Sequence, residues 1–276
     1  METPDIENPE FVSAIDALQL WSAPFGMKLL DLVEMKKHMR VLDLGCGLGF
    51  PLIELAQRLG SSCTAVGLDP WKRALERARL KIRMNGIQNA EVFLGVAEGM
   101  PFRDGGFDLI VSNNGVNNVQ NMEITFQECG RVAKPGAQMV LTLNLERTMF
   151  EFYDVFIEVL KERHLENETE KTHQHIVAKR RPLDEIRNML AKAGFTVRNE
   201  IHDAFRLRYA DGTAMLNHST IRFWFMPAWK RVLRESDVQA VFETVEQRLN
   251  RLAENKGGLD LTVPFVTIDC VKDSRV

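Results

Sequence analysis

Apolar and polar positions alternate along this chain in short blocks whose lengths predict strands and helices in turn. Val41, Leu42 and Leu44 make a brief apolar run, broken by Asp43 and then ended by Gly45, Gly47 and Gly49. A run of that length reads as a buried strand. The segment 52–59 that follows repeats apolar residues at helical spacing, with Pro51 near its first turn, where a missing N–H costs little. The pattern then recurs. Strands are predicted at 64–68, 91–94, 107–111 and 138–143, a sixth opens at 195–197, and a seventh covers 261–271. Helices are predicted over 71–84, from near Asn121 to Val132, and over 182–193, where Gly194 supplies a C-cap. Strands alternating with helices predict an α/β fold with a mostly parallel sheet.

Three stretches lie outside this alternation. Residues 8–37 carry Phe11, Ile15, Leu18 and then Leu29, Leu30, Val33 at helical spacing, interrupted by a break holding Trp21 and Phe25. Those two aromatics either staple two helices onto the core or form a lid. Residues 146–181 combine an aromatic-rich helix (Phe150, Phe152, Tyr153, Phe156) with a polar tail over 166–171. Residues 211–258 contain Phe223, Trp224, Phe225 and Trp229. Both of the later insertions leave from the carboxyl side of the sheet, where open α/β sheets bind ligands. They are therefore expected to build a substrate pocket, the alternative for the second being a homodimer interface.

Composition narrows the classes. The 276 residues are 45% hydrophobic and 26% charged with a net charge of −3, which suits one domain with elaborations. No long basic run offers a grip on nucleic acid. No apolar stretch is long enough to cross a membrane, and the acidic start lacks a signal-peptide pattern. Four scattered cysteines (Cys46, Cys63, Cys129, Cys270) fit reduced thiols in the cytoplasm.

The chemistry starts at the glycine turn. Strand, glycines and helix in succession open a nucleotide-type site, because glycine lets the backbone approach a ligand and a helix start offers unpaired N–H groups. A dinucleotide turn needs a third glycine at position 50, which is Phe50, and a phosphate loop needs a Lys that is absent. Asp69 lies about 20 residues beyond the turn, where a carboxylate can take both hydroxyls of a ribose or cap the next helix.

The motif Asp43-x-Gly45-x-Gly47-x-Gly49 resembles the first motif of class I S-adenosylmethionine (SAM)-dependent methyltransferases. Four further segments resemble that family in order and spacing: Asp69-Pro70, the stretch Gly95-Val96-Ala97-Glu98-Gly99-Met100-Pro101-Phe102, the run Phe107-Asp108-Leu109-Ile110-Val111, and the Lys134-Pro135-Gly136 turn. The resemblance covers about 40–200 plus the final strand. It implies a seven-stranded, mostly parallel sheet with an antiparallel last strand and helices on both faces, with helical caps added. The corresponding division is a lid at 1–38, a SAM-binding core at 39–210 with a cap insertion at 146–181, a second cap at 211–258, and a closing strand at 259–276.

The same resemblance implies that SAM is held by Asp43, Gly45, Cys46, Gly47 and Gly49, by Asp69, Pro70 and Trp71, by Ala97 and Glu98, and by Asn113. Val96 stands where the family carries an acid toward the adenine amine, which leaves the Ala97 N–H and the shifted Glu98 for that contact. Trp21, Phe25, Asn114, Asn117 and Tyr209 are the candidate acceptor contacts. His218 is the candidate general base, preferred over His173, His175 and Tyr209. The H-x-H pair His173 and His175 lacks the further ligands a metal needs, so no metal is expected. The expected activity is methyl transfer to a small molecule. A non-catalytic SAM-binding sensor or partner subunit is the alternative, and Phe50 argues against a nicotinamide enzyme.

Overall fold

Strand β1 (Arg40–Leu44) forms because Val41, Leu42 and Leu44 can bury on both faces of a parallel sheet, and all three are buried. It pairs in parallel with β2 (Thr64–Asp69) and β4 (Phe107–Asn113). The full sheet also contains β3 (Ala90–Leu94), β5 (Ala133–Asn144), β6 (Phe195–Tyr209) and β7 (Leu259–Lys272), in the order β3-β2-β1-β4-β5-β7-β6. Strand β7 runs antiparallel to β5 and separates it from β6. The computed structural model describes residues 5–16 and 20–274. Leu18, part of the N-terminal apolar pattern, lies outside them.

The chain divides into two compact units, 5–144, 182–202 and 265–274 forming the sheet unit and 145–181 with 203–264 forming the helical unit. Strands β6 and β7 contribute residues to both.

In the sheet unit, helices α1 (Pro9–Asp16), α2 (Ser22–Leu32), α3 (Leu52–Leu59), α4 (Lys72–Met84) and α5 (Met122–Val132) flank the strands, with the α8 helix (Leu183–Lys192) numbered after two helices of the other unit. One core layer joins Leu29 and Leu30 of α2 and Leu55 of α3 to Val41, Leu109, Val111 and Val140. Another joins α3 and α4 to Ala65 and Val92. Leu42, Ile110, Met139 and Leu141 alternate to the opposite side of the strands and are also fully buried. Each such side chain contributes about 1.5–3 kcal/mol. Strand β5 starts five residues earlier than its apolar run, because Ala133 pairs with Phe107 before a register shift brings Gln138 opposite Leu109. Helix α1 is tied to α4 by Asp16, whose carboxylate takes Arg77 and Lys81 at 2.7 Å each.

The helical unit holds α6 (Phe150–Glu162), α7 (Glu166–Lys179), α9 (Gly212–Asn217), a π-helical turn (Ile221–Phe225), α10 (Met226–Arg231) and α11 (Glu235–Lys256). Its aromatics form a core of their own. Phe152 stacks on Trp229 at 3.7 Å between centroids and on Phe156 at 5.4 Å, and the Trp229 indole N–H donates to the Tyr153 hydroxyl at 3.0 Å. Tyr153 and Trp229 are both buried. Among the described residues no helix is long and apolar enough to cross a membrane.

Candidate functional site

The glycine turn after β1 is held from the neighbouring strand. The Gly45 N–H donates to the Leu68 carbonyl at 2.8 Å, and the Gly47 N–H donates to one oxygen of Asp69 at 2.9 Å. The other Asp69 oxygen accepts from the Trp71 N–H at 2.8 Å. One carboxylate thus fixes both the turn and the start of α4. Gly45, Gly47 and Gly49 all have positive φ, 78°, 47° and 101°, which a side chain would strain. A Cβ at Gly47 would meet nothing within 4 Å, so this part of the turn faces open space.

Two acids stand at this turn. Asp43 is fully buried, and neither of its oxygens makes a well-formed hydrogen bond. Burial pushes its carboxyl up to about 8, with the Asp69 charge adding to the rise and the nearby Leu52 N–H opposing it. Burial also raises Asp69, against the pull of its two backbone donors. Cys46 turns its sulfur toward β2, where a Cβ on Gly67 would come within 2.6 Å of it. Burial first, then the two acids, keep its thiol protonated. Cys46 therefore presents only its backbone to the turn.

Beyond β2 and β3, Pro70 is exposed and Trp71 is half-buried, its indole N–H donating to the Ile6 carbonyl at 3.0 Å. Ala97 is buried and Val96 exposed. Glu98 accepts from the N–H groups of Gln120 and Asn121 at 2.7 and 3.0 Å, so its carboxylate holds the lead into α5. Asn121 then caps that helix through its own side chain.

At the ends of β4 and β5 the asparagines form a network. The Asn113 amide donates to the Ser22 carbonyl at 3.0 Å and accepts from the Thr142 hydroxyl at 3.0 Å. Asn114, at φ 59°, accepts from the Asn117 amide at 2.7 Å, and Asn117 also donates to Asn144. Asn144 and Thr142 were not singled out by the sequence; the signal available was Asn144 ending β5 as Asn113 ends β4. Phe25 is fully buried between Trp21 and Phe265, at centroid distances of 5.5 and 4.9 Å. Gly26 packs so closely on Phe50 that a Cβ would fall 2.1 Å from its ring.

Tyr209 and His218 belong to the helical unit. Their rings meet edge-on at 5.4 Å, and both the Tyr209 hydroxyl and the His218 Nδ1 are buried without a hydrogen-bond partner. Burial pushes the Tyr209 phenol up to about 12. His173 is exposed on α7 and His175 half-buried. Among the described residues no group of three His, Cys, Asp or Glu is placed to hold a metal ion.

The strand order, the reversed β7 and the glycine turn flanked by two buried acids define the class I SAM-dependent methyltransferase fold. Residues 35–211 match the family model described as a methyltransferase domain, and the chain belongs to that family. A demethylmenaquinone methyltransferase of Lactococcus lactis is 31% identical over 140 residues, 49% of this chain and 54% of that protein. A norajmaline N-methyltransferase of Rauvolfia serpentina is 31% identical over 115 residues, 41% of this chain and 39% of that protein. The chain thus spans about half the length, or less, of the curated relatives it matches. A crystal structure of a putative methyltransferase from Bacillus halodurans shares the fold with a TM-score of 0.58 at 19% identity, over 90% of this chain and 98% of that one.

Proposed function

We propose that this protein transfers a methyl group from SAM to a small-molecule acceptor. The observation that carries this reading is the pair of buried acids at the glycine turn. Asp43 has been taken out of water with only the nearby Leu52 N–H to offset it, which is unfavourable unless something else supplies a partner. A ligand with an ammonium group supplies it. The turn itself has room at Gly47, where a Cβ would meet nothing within 4 Å. Asp69 is oriented by two backbone N–H groups and keeps lone pairs for ribose hydroxyls. Asp43, Gly45, Gly47, Gly49 and Asp69 would therefore hold the cofactor, with the backbone of Cys46 and Ala97 beside them and Pro70 and Trp71 at the edge. The engaged side chains of Glu98 and Asn113 would contribute by shaping loops.

SAM supplies a methyl group already activated on a sulfonium. The protein's share of the work is to orient the acceptor, exclude water and accept a proton where the acceptor must lose one. His218 is the candidate for the last task, its Nδ1 having no hydrogen-bond partner within the chain. Tyr209, kept neutral, can donate a hydrogen bond but not act as the base. Trp21, Phe25, Asn114 and Asn117 remain acceptor candidates in the sheet unit. The relatives named for demethylmenaquinone and norajmaline support a small-molecule acceptor. Four free, buried cysteines suit a cytoplasmic setting.

Calorimetric titration with S-adenosylhomocysteine and with NAD tests the cofactor. Binding of the first alone is expected, and binding of NAD alone would sink the proposal. A screen of small acceptors for release of S-adenosylhomocysteine tests turnover. Cofactor binding without turnover on any acceptor would point to a sensor instead.

A further inference from the structure

Arg180 is the least explained charge in the molecule. It follows α7 and is 5% exposed, yet its Nε and Nη1 are buried without a hydrogen-bond partner. No carboxylate stands within ion-pair distance of it among the described residues: the buried Glu168 of the same helix lies 3.4 Å from Arg234 and 3.9 Å from Lys171 instead. Its guanidinium carbon lies 5.3 Å from the ring centre of Tyr153. That ring is fixed from the other side, because its hydroxyl accepts from the Trp229 indole N–H. His175 is held below its ordinary range by burial first, and then by Arg180, Lys179 and Arg231.

A buried guanidinium with open donors is costly unless an anion answers it. Its planar fork matches a carboxylate or phosphate better than any other common group. A core packed by Phe152, Phe156 and Trp229 has no need of a cation for its own stability.

We propose that Arg180 anchors an anion-binding subsite in the helical unit, made for a carboxylate or phosphate group. The sheet unit carries the cofactor contacts, so cofactor affinity does not depend on this residue.

The test uses the full ¹⁵N-labelled chain with three probes: benzoate, its neutral counterpart benzamide, and inorganic phosphate. The reporter is the Arg180 Nε–H signal, assigned by its disappearance in Arg180→Lys. Benzoate or phosphate is expected to shift it saturably, and benzamide to leave it unmoved. In Arg180→Lys, thermal-shift titration should show anion affinity weakened at least about tenfold, the scale of one charge-assisted hydrogen bond. Arg180→Met should abolish the anion response and melt no lower than the parent, since it removes an unpaired buried charge. No saturable response to either anion, or a lower melting temperature in Arg180→Met, overturns the proposal. S-adenosylhomocysteine affinity should be unchanged in both variants. Its absence in the parent protein would defeat the methyltransferase reading while leaving the benzoate result standing.

Discussion

The two units satisfy their buried polar groups in different ways. In the sheet unit, buried polar atoms are mostly answered from within: Asp69 by two backbone N–H groups, Asn113 by Ser22 and Thr142, Glu98 by Gln120 and Asn121. Asp43, Thr267 and one nitrogen of Arg73 are the exceptions, and Asp43 stands at the glycine turn. In the helical unit the open groups are of other kinds. The aromatic core is complete, while Tyr209, His218 and Arg180 keep buried polar atoms with no partner. Buried polar groups are ordinarily paired, so those left over mark where a ligand belongs. The open groups of the helical unit are a phenol, an imidazole and a guanidinium, against the carboxylate at the glycine turn of the sheet unit.

Turnover without cofactor loss is the sharpest way to break this contrast. His218→Gln should lower kcat by about 10²–10⁴ for an acceptor that must lose a proton, the usual worth of a general base. S-adenosylhomocysteine affinity should not change. Steady-state kinetics beside calorimetry read both quantities. An unchanged kcat would remove His218 from the chemistry.

Asp69→Ala should do the opposite. It deletes a buried carboxylate that fixes the turn and α4 and keeps lone pairs for a ligand. Loss of charged hydrogen bonds worth about 1.5–3 kcal/mol each predicts roughly a hundredfold weaker S-adenosylhomocysteine binding. Retained affinity in a folded variant would move the cofactor site elsewhere.

How much of this was legible in the sequence follows the same division. The glycine turn, Asp69 and the strands through Phe107-Asp108-Leu109-Ile110-Val111 could be read because their backbone roles demand particular residues at fixed spacing. The early start of β5 could not, since the Lys134-Pro135-Gly136 stretch looks like a turn and joins the strand only through the shift opposite Phe107. Strand β6 runs to Tyr209 although its sequence is charged, because every second side chain toward its end is exposed. In the helical unit the aromatics were legible as a cluster but not as a core. Whether Phe152, Tyr153 and Trp229 line a cavity or stack on one another depends on packing between distant segments. Arg180 sat in a polar stretch that gave no sign of its burial. A missing partner is a property of three-dimensional surroundings, and no spacing rule records it.

The pH response of Asp43 tests its exceptional status. Its carboxyl rises from 3.8 to about 8 on burial. Below about pH 4 folded and unfolded chains both hold the proton. Between about 4 and 8 the folded protein keeps a proton that the unfolded chain has released, so stability falls as pH rises through this window and levels off above it. Asp43→Asn should flatten that slope in melting curves. If the ionised carboxylate receives the ligand's ammonium group, S-adenosylhomocysteine affinity should also fall about tenfold per pH unit below 8, with release of a proton. A slope identical in parent and variant would mean that Asp43 is already paired.

Glu98 offers the smallest effect and the finest distinction. The family resemblance points it toward adenine, while its carboxylate is engaged by the Gln120 and Asn121 N–H groups ahead of α5. If that engagement is its whole contribution, Glu98→Gln replaces a charged acceptor with a neutral one that can still take both hydrogen bonds. The cost should then be that of a weakened cap, about 0.5–1 kcal/mol of stability, with S-adenosylhomocysteine affinity within about twofold of the parent, well under the roughly tenfold that one lost charged hydrogen bond would produce. A tenfold loss of affinity at unchanged stability would return Glu98 to the adenine and make it, like Asp43, a sheet-unit group whose final partner is the ligand. That result would narrow the difference between the two units to the number of open groups each carries, because both would then hold polar side chains in wait for something outside the chain.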